Sequence, residues 1–330
     1  MTTEQFAYKT FDLMGTSISF WIDRDAEHRV TSAFSAGETF LRDFDQRLSR
    51  FRPDSELCAL NADPHETVPI SKLMVRFLSA ALDAARGSGG LVDPTLVDAV
   101  EHAGYRESLA GVQPASLAEA LAARPPERAA HPDPAALWRT IHLDLAMQTV
   151  TRPPGVRIDS GGCGKGLAAD LVAGIWRQLL PPETAFIVDC GGDMRVGGIA
   201  ADAAPYAIRV DTIPPPPREL TLSLSEGAVA TSGIGNRLWL REDGTYAHHL
   251  LDPSSGEPAW TGLASVTAVA QTALEAETLA KTALLLGPEG ARGVLAERGG
   301  VLVTFDGEVE PINPRRAADG LRQDGGDVRG

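Results

Sequence analysis

"RIDSGGCGKGLAAD", residues 157–170, is the most informative segment of the sequence, because a run of glycines leads directly into a helical pattern. Glycines allow backbone N–H groups to converge on an anion, and the first turn of a helix directs its positive end toward the same point. The apolar spacing after the glycines predicts an amphipathic helix over residues 166–180. The stretch therefore predicts a phosphate-binding turn that contains Lys165.

Two common nucleotide-binding motifs do not match this turn. A Walker A loop requires glycine where Asp159 stands and Ser or Thr where Gly166 stands. The Rossmann fingerprint requires a third glycine, and Leu167 occupies that position. Taken alone, the turn is equally compatible with a structural role, and Lys165 with a solvated surface lysine.

The rest of the chain mixes strand and helix patterns irregularly. Residues 11–22 alternate as one strand, with Gly15 as a point of close approach, and residues 184–199 predict two strands around a glycine turn. Helices are predicted over 33–48, 71–87 and 272–286. Strands in runs with interspersed helices favour an α+β fold over a doubly wound sheet.

The composition excludes several classes of protein. The 330 residues are 43% hydrophobic and 22% charged, which is typical of a globular chain. A net charge of −14 argues against a nucleic-acid partner. We expect a cytoplasmic protein with no membrane insertion of its own, since neither a leader nor a membrane-spanning run is evident. Cys58, Cys163 and Cys190 are too widely spaced for a CxxC site and are expected to be buried thiols.

A series of short motifs accompanies the glycine turn in a fixed order. They are MGT from Met14, FRPDSELCALN from Phe51, VDPT from Val92, DSGGCGKGLAAD from Asp159, VDCGGDMRVGG from Val188, ATSG from Ala230 followed by Arg237, HHLLDPSSG from His248, and AETLAKTALLLG from Ala276. Each is common alone, but together they resemble the FAD:protein FMN transferase family, the ApbE-like flavin transferases. The resemblance runs from Met14 to about Gly287.

The resemblance implies a fold, a ligand and a reaction. The expected fold has two interleaved α/β subdomains of mixed sheets with an FAD-binding cleft between them. The expected reaction moves FMN from FAD to a Ser or Thr hydroxyl of an acceptor flavoprotein and releases AMP. The implied FAD contacts are Met14, Phe51, Val92, Asp93, Pro94, Asp159, Lys165 and Leu251. His249 is the implied general base, ahead of its neighbour His248.

The family's magnesium site is where this sequence departs from the pattern. The resemblance implies the carbonyl of Gly162 and a side chain at Glu277 as ligands, but Lys281 stands where a hydroxyl ligand belongs. An ammonium group has no lone pair for a cation. Three outcomes are open: Lys281 replaces the ion, turns away and leaves a weakened site, or forms an ordinary i, i+4 bridge with Glu277. Thr282 points about 100° further round the helix and should not supply the missing ligand.

Two other functions stay open beside FMN transfer. One is non-catalytic FAD binding or storage, and the other is hydrolysis of FAD to FMN and AMP by a pyrophosphatase. The transferase domain is expected over residues 1–312, with a surface polyproline connector at 211–220 and a disordered tail over 313–330.

Overall fold

The computed structural model describes residues 5–313 apart from 27, 200–204 and 212–218. The strands in this part of the chain are β1 (Phe6–Leu13), β2 (Thr16–Asp23), β3 (Thr67–Pro69), β4 (His142–Asp144), β5 (Thr149–Thr151), β6 (Phe186–Cys190), β7 (Met194–Gly197), β8 (Tyr206–Asp211), β9 (Glu219–Leu224), β10 (Gly227–Gly233), β11 (Leu238–Leu240), β12 (Tyr246–His248), β13 (Leu263–Ala270), β14 (Gly300–Thr304) and β15 (Val309–Ile312). The α-helices are α1 (His28–Leu48), α2 (Glu56–Ala62), α3 (Lys72–Gly87), α4 (Val97–His102), α5 (Leu117–Ala123), α6 (Gly164–Leu179) and α7 (Ala273–Leu295).

One eight-stranded sheet organises these elements, in the order β1-β2-β6-β7-β10-β13-β14-β15. Smaller sheets join β3-β5-β4, β8-β9 and β11-β12. The α+β class is confirmed, although every ladder between these strands is antiparallel where mixed sheets were expected. Because β2 pairs with β6, the first strands of the chain lie beside strands from its second half, so the two halves interleave.

The central strands of the large sheet bury both faces. On β10, Ala228 and Ala230 belong to the core beneath α1, α3 and α6, whereas Val229 belongs to the core on the opposite face with the β8–β9 hairpin. Successive side chains of a strand point to opposite faces, which produces this division. On the helical face, Phe20 meets Trp176 of α6 edge to face, with ring centroids 4.9 Å apart. The sheet therefore fixes the position of α6, and with it the glycine turn.

The prediction of a single strand over residues 11–22 is wrong. Met14 and Gly15 form a two-residue turn between β1 and β2, with φ angles of 53° and 68°. Two positive φ angles define the type I′ turn that suits the twist of a hairpin. The sequence hides this turn because methionine rarely adopts positive φ. The turn places Met14 at the wall of a large cavity in front of the glycine turn.

The helix predictions are largely confirmed. Helix α3 begins after Ser71, whose hydroxyl accepts a hydrogen bond from the Met74 amide, and it ends at Gly87. Helix α1 begins earlier than predicted, at His28, and α7 continues to Leu295 after a break at Gly287, where φ is 74°. Most of the predicted polyproline connector and all but the first residue of the predicted tail lie outside the described residues. No helix in the described ranges is both long and apolar enough to cross a membrane.

Candidate active site

The glycine turn before α6 is anchored to two other segments. The Asp159 amide donates to the Pro94 carbonyl at 2.8 Å, and the Ser160 hydroxyl donates to the Leu48 carbonyl at 2.8 Å. The Gly164 amide donates to the Ser160 carbonyl at 2.8 Å, which closes the first turn of the helix. These bonds bring the end of α1 and the VDPT segment to the start of α6.

The start of α6 also packs closely on α7. A Cβ atom on Gly166 would lie 2.5 Å from the backbone oxygen of Ala273, a distance that no real Cβ contact reaches. Across the same contact, the Asp170 carboxylate accepts hydrogen bonds from the first two amides of α7, Ala273 and Leu274, at 2.9 Å each. Glycine at 166 is therefore required by the close approach of α7.

A cavity of about 870 Å³ opens in front of the glycine turn. Its wall includes Met14, Gly15, Arg50, Phe51, Tyr105, Asp159, Gly161, Lys165 and Arg237. Aromatic rings, cationic side chains and backbone at a helix start occur together on this wall. Such a mixture suits a ligand that combines flat rings with an anionic group.

A smaller cavity of about 80 Å³ adjoins the large one. Its wall includes Val92, Asp93, Gly162, His249, Leu251 and Lys281. Tyr105, Asp159, Gly161 and Arg237 line both cavities, so the two spaces meet at these residues. Together they form one site with a wide lobe and a narrow lobe.

The structure brings most of the predicted site residues to these two lobes. Met14, Phe51 and Lys165 line the wide lobe, Val92, Asp93, Gly162, His249 and Leu251 line the narrow lobe, and Asp159 lines both. Two predicted residues line neither. Pro94 contributes its carbonyl to the Asp159 amide, and Glu277 is 1% exposed. The FAD contact predicted for Pro94 stays a prediction, since in the structure this residue supports the turn.

Lys165 lies between carboxylates. Its ammonium group forms an ion pair with Asp193, which is 1% exposed. Burial lowers the pKa of Lys165, but the charges of Asp193 and Glu277 outweigh burial and leave this pKa raised. Burial raises the pKa of Asp193 to about 6, against the opposing effect of Lys165. The lysine is therefore a fixed cation at the wall of the wide lobe.

His249 differs from His248 in its access to the site. His249 is half-buried, lines the narrow lobe, and has a buried Nδ1 atom with no hydrogen-bond partner in the described residues. Burial, followed by the charge of Arg237, holds its pKa well below the usual value, so the imidazole is neutral at pH 7. His248 is fully buried against Trp260, and its Nδ1 atom accepts from the Leu250 amide at 3.3 Å. Of these two histidines, only His249 is placed to exchange a proton with a ligand.

Asp93 offers a second unsatisfied polar atom to the narrow lobe. Its Oδ1 atom accepts from the Thr95 amide and hydroxyl at 2.7 and 2.5 Å, whereas its buried Oδ2 atom has no partner in the described residues. Burial raises the pKa of Asp93 above its usual value. Buried polar atoms are rarely left unpaired in folded proteins, so this oxygen is available to a ligand donor.

Two arginines of the site were not among the predicted site residues. Arg50 lies 4.1 Å from the Phe51 ring centroid and 4.6 Å from that of Tyr105, and its Nε atom is 3.5 Å from Asp159. Arg237, which follows the ATSG motif, lines both lobes and has no ion-pair partner in the described part of the chain. The position of Arg50 directly before Phe51 was a possible signal, but its contacts with Tyr105 and Asp159 are distant in sequence. An arginine with no ion-pair partner among the described residues, at the junction of two lobes, is a candidate anion ligand.

The residues at the implied magnesium site do not fit a divalent cation. The Lys281 ammonium donates to one oxygen of Glu277 at 2.6 Å, and the Gly166 amide donates to the other at 2.7 Å. Both carboxylate oxygens are therefore engaged, and an ammonium stands where a ligand would be needed. Among the described residues, no three His, Cys, Asp or Glu side chains converge to hold a metal. The Thr282 hydroxyl donates to the Thr278 carbonyl on its own helix at 2.7 Å.

Of the three outcomes for Lys281, one is wrong and one needs correction. Lys281 does not turn away, because it binds Glu277 and also lines the narrow lobe. The i, i+4 bridge exists, but it is buried rather than exposed, with Lys281 at 9% and Glu277 at 1%. The groups present therefore do not support magnesium binding by Gly162 and Glu277.

The sheet, the anchored glycine turn and the two-lobed cavity define an α+β protein whose cavity walls suit a ring-bearing anionic ligand. The chain belongs to the ApbE family, whose model matches residues 14–305. This membership confirms the resemblance inferred from the ordered motifs. The match covers the hairpin turn, the glycine turn and helix α7.

Curated relatives carry one common description. The chain is 29% identical over 322 residues to an FAD:protein FMN transferase of Treponema pallidum, covering 88% of this chain and 81% of that protein. It is 26% identical over 258 residues to an FAD:protein FMN transferase of Escherichia coli K12, covering 77% of this chain and 71% of that protein.

Solved structures agree with the fold. The crystal structure of the ApbE protein from Thermotoga maritima superimposes with a TM-score of 0.78 at 25% identity, covering 94% of this chain and 98% of that one. The apo flavinyl transferase ApbE of Pseudomonas stutzeri gives a TM-score of 0.74 at 21% identity, covering 96% and 98%. The second likeness supports the fold alone.

Proposed function

We propose that this chain is an FAD:protein FMN transferase that moves FMN from FAD to a Ser or Thr hydroxyl of an acceptor flavoprotein and releases AMP. The observation that carries the proposal is the two-lobed cavity, in which the aromatic rings and cations of the wide lobe adjoin a neutral histidine in the narrow lobe. Its wide lobe has a volume in the usual range of small-molecule sites, roughly 300–1,000 Å³.

The residues that line the two lobes offer contacts for the rings and for the pyrophosphate of FAD. Rings of Phe51 and Tyr105, with centroids 5.4 Å apart, offer surfaces for flat heterocycles. Lys165, Arg237 and the start of α6 offer positive charge to the pyrophosphate. In this proposal the FAD contacts come from Met14, Phe51, Val92, Asp93, Pro94, Asp159, Lys165 and Leu251, with Pro94 acting through the backbone of the turn.

The reaction requires one bond to form and one to break. The acceptor oxygen attacks the phosphorus of the FMN half, the bond from that phosphorus to the bridging oxygen breaks, and the bridging oxygen leaves with AMP together with the electron pair. His249 takes the hydroxyl proton, because its imidazole is neutral and its Nδ1 atom has no hydrogen-bond partner in the described residues. A bound pyrophosphate would offset the neighbouring positive charges and raise the basicity of His249 toward the working pH.

The domain and location assignments extend the same proposal. We assign the transferase domain to residues 1–312 and a tail to residues 313–330, while the family match itself ends at residue 305. The acceptor is a flavoprotein domain with a Ser or Thr target, and a cytoplasmic location stays a prediction.

Product analysis tests the proposal. The purified chain is incubated with FAD and an acceptor domain, and AMP, free FMN and covalently bound FMN are quantified together. Equal amounts of AMP and protein-bound FMN, both lost when the acceptor Ser or Thr is replaced by Ala, would establish transfer. AMP with free FMN would indicate a pyrophosphatase, and bound FAD without AMP would indicate a storage protein.

A further inference from the structure

Opposite charges alternate where α6 meets α7. Lys165 and Lys281 lie on the two helices, and Asp193 and Glu277 lie against their ammonium groups. The chain contains only four lysines, Lys9, Lys72, Lys165 and Lys281, and two of them are in this cluster. Arg237 lines the narrow lobe together with Lys281, and Asp93 and Asp159 line it as well, so cations and carboxylates are mixed around this site.

The Lys281 ammonium is held by Glu277 but not saturated by it. An ammonium group has three N–H donors, and the described contacts of Lys281 use one of them, on Glu277. Lys281 is 9% exposed and lines the narrow lobe beside Gly162 and His249. Its remaining donors are therefore available to an anion that enters this lobe.

We infer that the Lys281 ammonium, held by Glu277, takes the place of a divalent cation beside the pyrophosphate of FAD, so that this chain binds FAD and acts without magnesium. The inference rests on the proposed function for the identity of the ligand. It makes Lys281 a pyrophosphate ligand and Glu277 its positioning residue.

A cation could bind Glu277 only by breaking an existing contact. It would have to displace Lys281 from one oxygen of Glu277, since the Gly166 amide holds the other. The displaced ammonium would then remain buried next to the ion and repel it. A compact ammonium is suited to the opposite role, because lysine acts as a point charge toward phosphate.

The first experiment measures FAD affinity by fluorescence quenching in EDTA and across a magnesium titration. For the parent chain we expect the same Kd, within about twofold, in both conditions. For Lys281→Thr we expect binding in EDTA to weaken at least tenfold and to recover with magnesium, because Glu277 regains a free oxygen and the threonine adds a hydroxyl. Lys72→Met, which removes an exposed lysine at the start of α3, serves as the matched control and should behave like the parent.

A second variant keeps the inference testable if Lys281→Thr does not fold. Removing Lys281 alone leaves Glu277 buried without its partner, a change that commonly destabilises a protein. The double variant Glu277→Gln with Lys281→Met removes both charges and keeps a group that can accept from the Gly166 amide. We expect it to fold and to bind FAD at least tenfold more weakly, with no recovery in magnesium.

Manganese provides a readout independent of FAD turnover. Electron paramagnetic resonance of Mn²⁺ mixed with protein and FAD should detect no ion bound to the parent chain beyond that held by free FAD. Lys281→Thr should bind about one Mn²⁺ per FAD complex, whereas the double variant should bind none.

The outcomes separate this inference from the proposed function. Stoichiometric Mn²⁺ binding by the parent, or loss of its FAD affinity in EDTA, would overturn the inference even if FMN transfer is observed. Metal-independent FAD binding without any AMP release would leave the role of Lys281 in FAD binding standing, but it would overturn the transferase proposal and the activity without magnesium. A parent chain that binds no FAD in any condition would overturn both.

Discussion

Lys165 contributes a fixed positive charge at the wide lobe, and removing it should weaken FAD binding. Hydrogen bonds to charged groups contribute about 1.5–3 kcal/mol, so we expect Lys165→Ala to raise the Kd for FAD by about 10–100-fold. The variant also leaves Asp193 buried without its partner. Lys165→Ala combined with Asp193→Asn should recover thermal stability but not affinity. Unchanged affinity in either variant would contradict the role assigned to this lysine.

His249 should be required for turnover but not for binding. A positioned general base typically contributes about 10²–10⁴-fold to rate. We therefore expect His249→Ala to lose about this factor in AMP release while the Kd for FAD changes less than about threefold. His248→Asn is the matched control, because His248 lines neither lobe, and it should keep most of its activity. Loss of FAD binding in His249→Ala would mean that His249 is structural.

Individual site residues could be predicted from the sequence where they lie in local motifs. Lys165 and Asp159 lie in one glycine turn, and the structure places both at the cavity wall. The placement of Arg50 was not predictable, because it depends on Tyr105 and Asp159, which are far from it in sequence. The engagement of both Glu277 oxygens likewise depends on the distant Gly166 amide.

At the level of elements, α6 and α7 meet at a contact that only glycine allows. We expect Gly166→Ala to destabilise the fold by about 1–3 kcal/mol, since the new Cβ would collide with the backbone of α7. Gly174→Ala lies in the same helix with open space around it and should stabilise by about 0.4–1 kcal/mol. Urea unfolding of the two variants measures both values. Equal effects would mean that the close approach of α6 to α7 is not maintained in solution.

Elements were predicted best where apolar spacing and caps agree. Helix α3 has both a Ser71 cap and a regular buried stripe, and its predicted bounds hold. The β1–β2 hairpin was missed because its turn uses methionine at positive φ rather than asparagine or glycine. The pairing of β2 with β6 lies beyond any local pattern, since about 165 residues separate the two strands.

For the whole molecule, the burial of His248 makes the free energy of unfolding depend on pH. Burial lowers the pKa of His248 to about 3 in the folded state, against about 6.5 in an unfolded chain. The unfolded state therefore binds more protons between these values, and folding loses stability as pH falls below about 6.5. We expect His248→Asn to be less stable than the parent at pH 7, but this difference should shrink by about 2 kcal/mol at pH 5, because asparagine does not titrate.

Thermal or urea unfolding of both proteins at pH 7 and pH 5 measures this effect. Comparing parent with variant cancels groups such as Asp193, whose raised pKa of about 6 acts in the opposite direction. A constant difference between the two proteins at both pH values would show that His248 does not titrate on unfolding as proposed.

The order of the large sheet sets β1 at one edge and β15 at the other. Seven gaps between neighbouring strands, at about 4.8 Å each, separate these edges by roughly 34 Å. A circular permutant that joins the chain after β15 to the chain before β1 would need a linker of about ten extended residues. Fluorescent labels attached near these two strands would sit on opposite flanks of the protein, so their energy transfer would report the integrity of the whole sheet during unfolding.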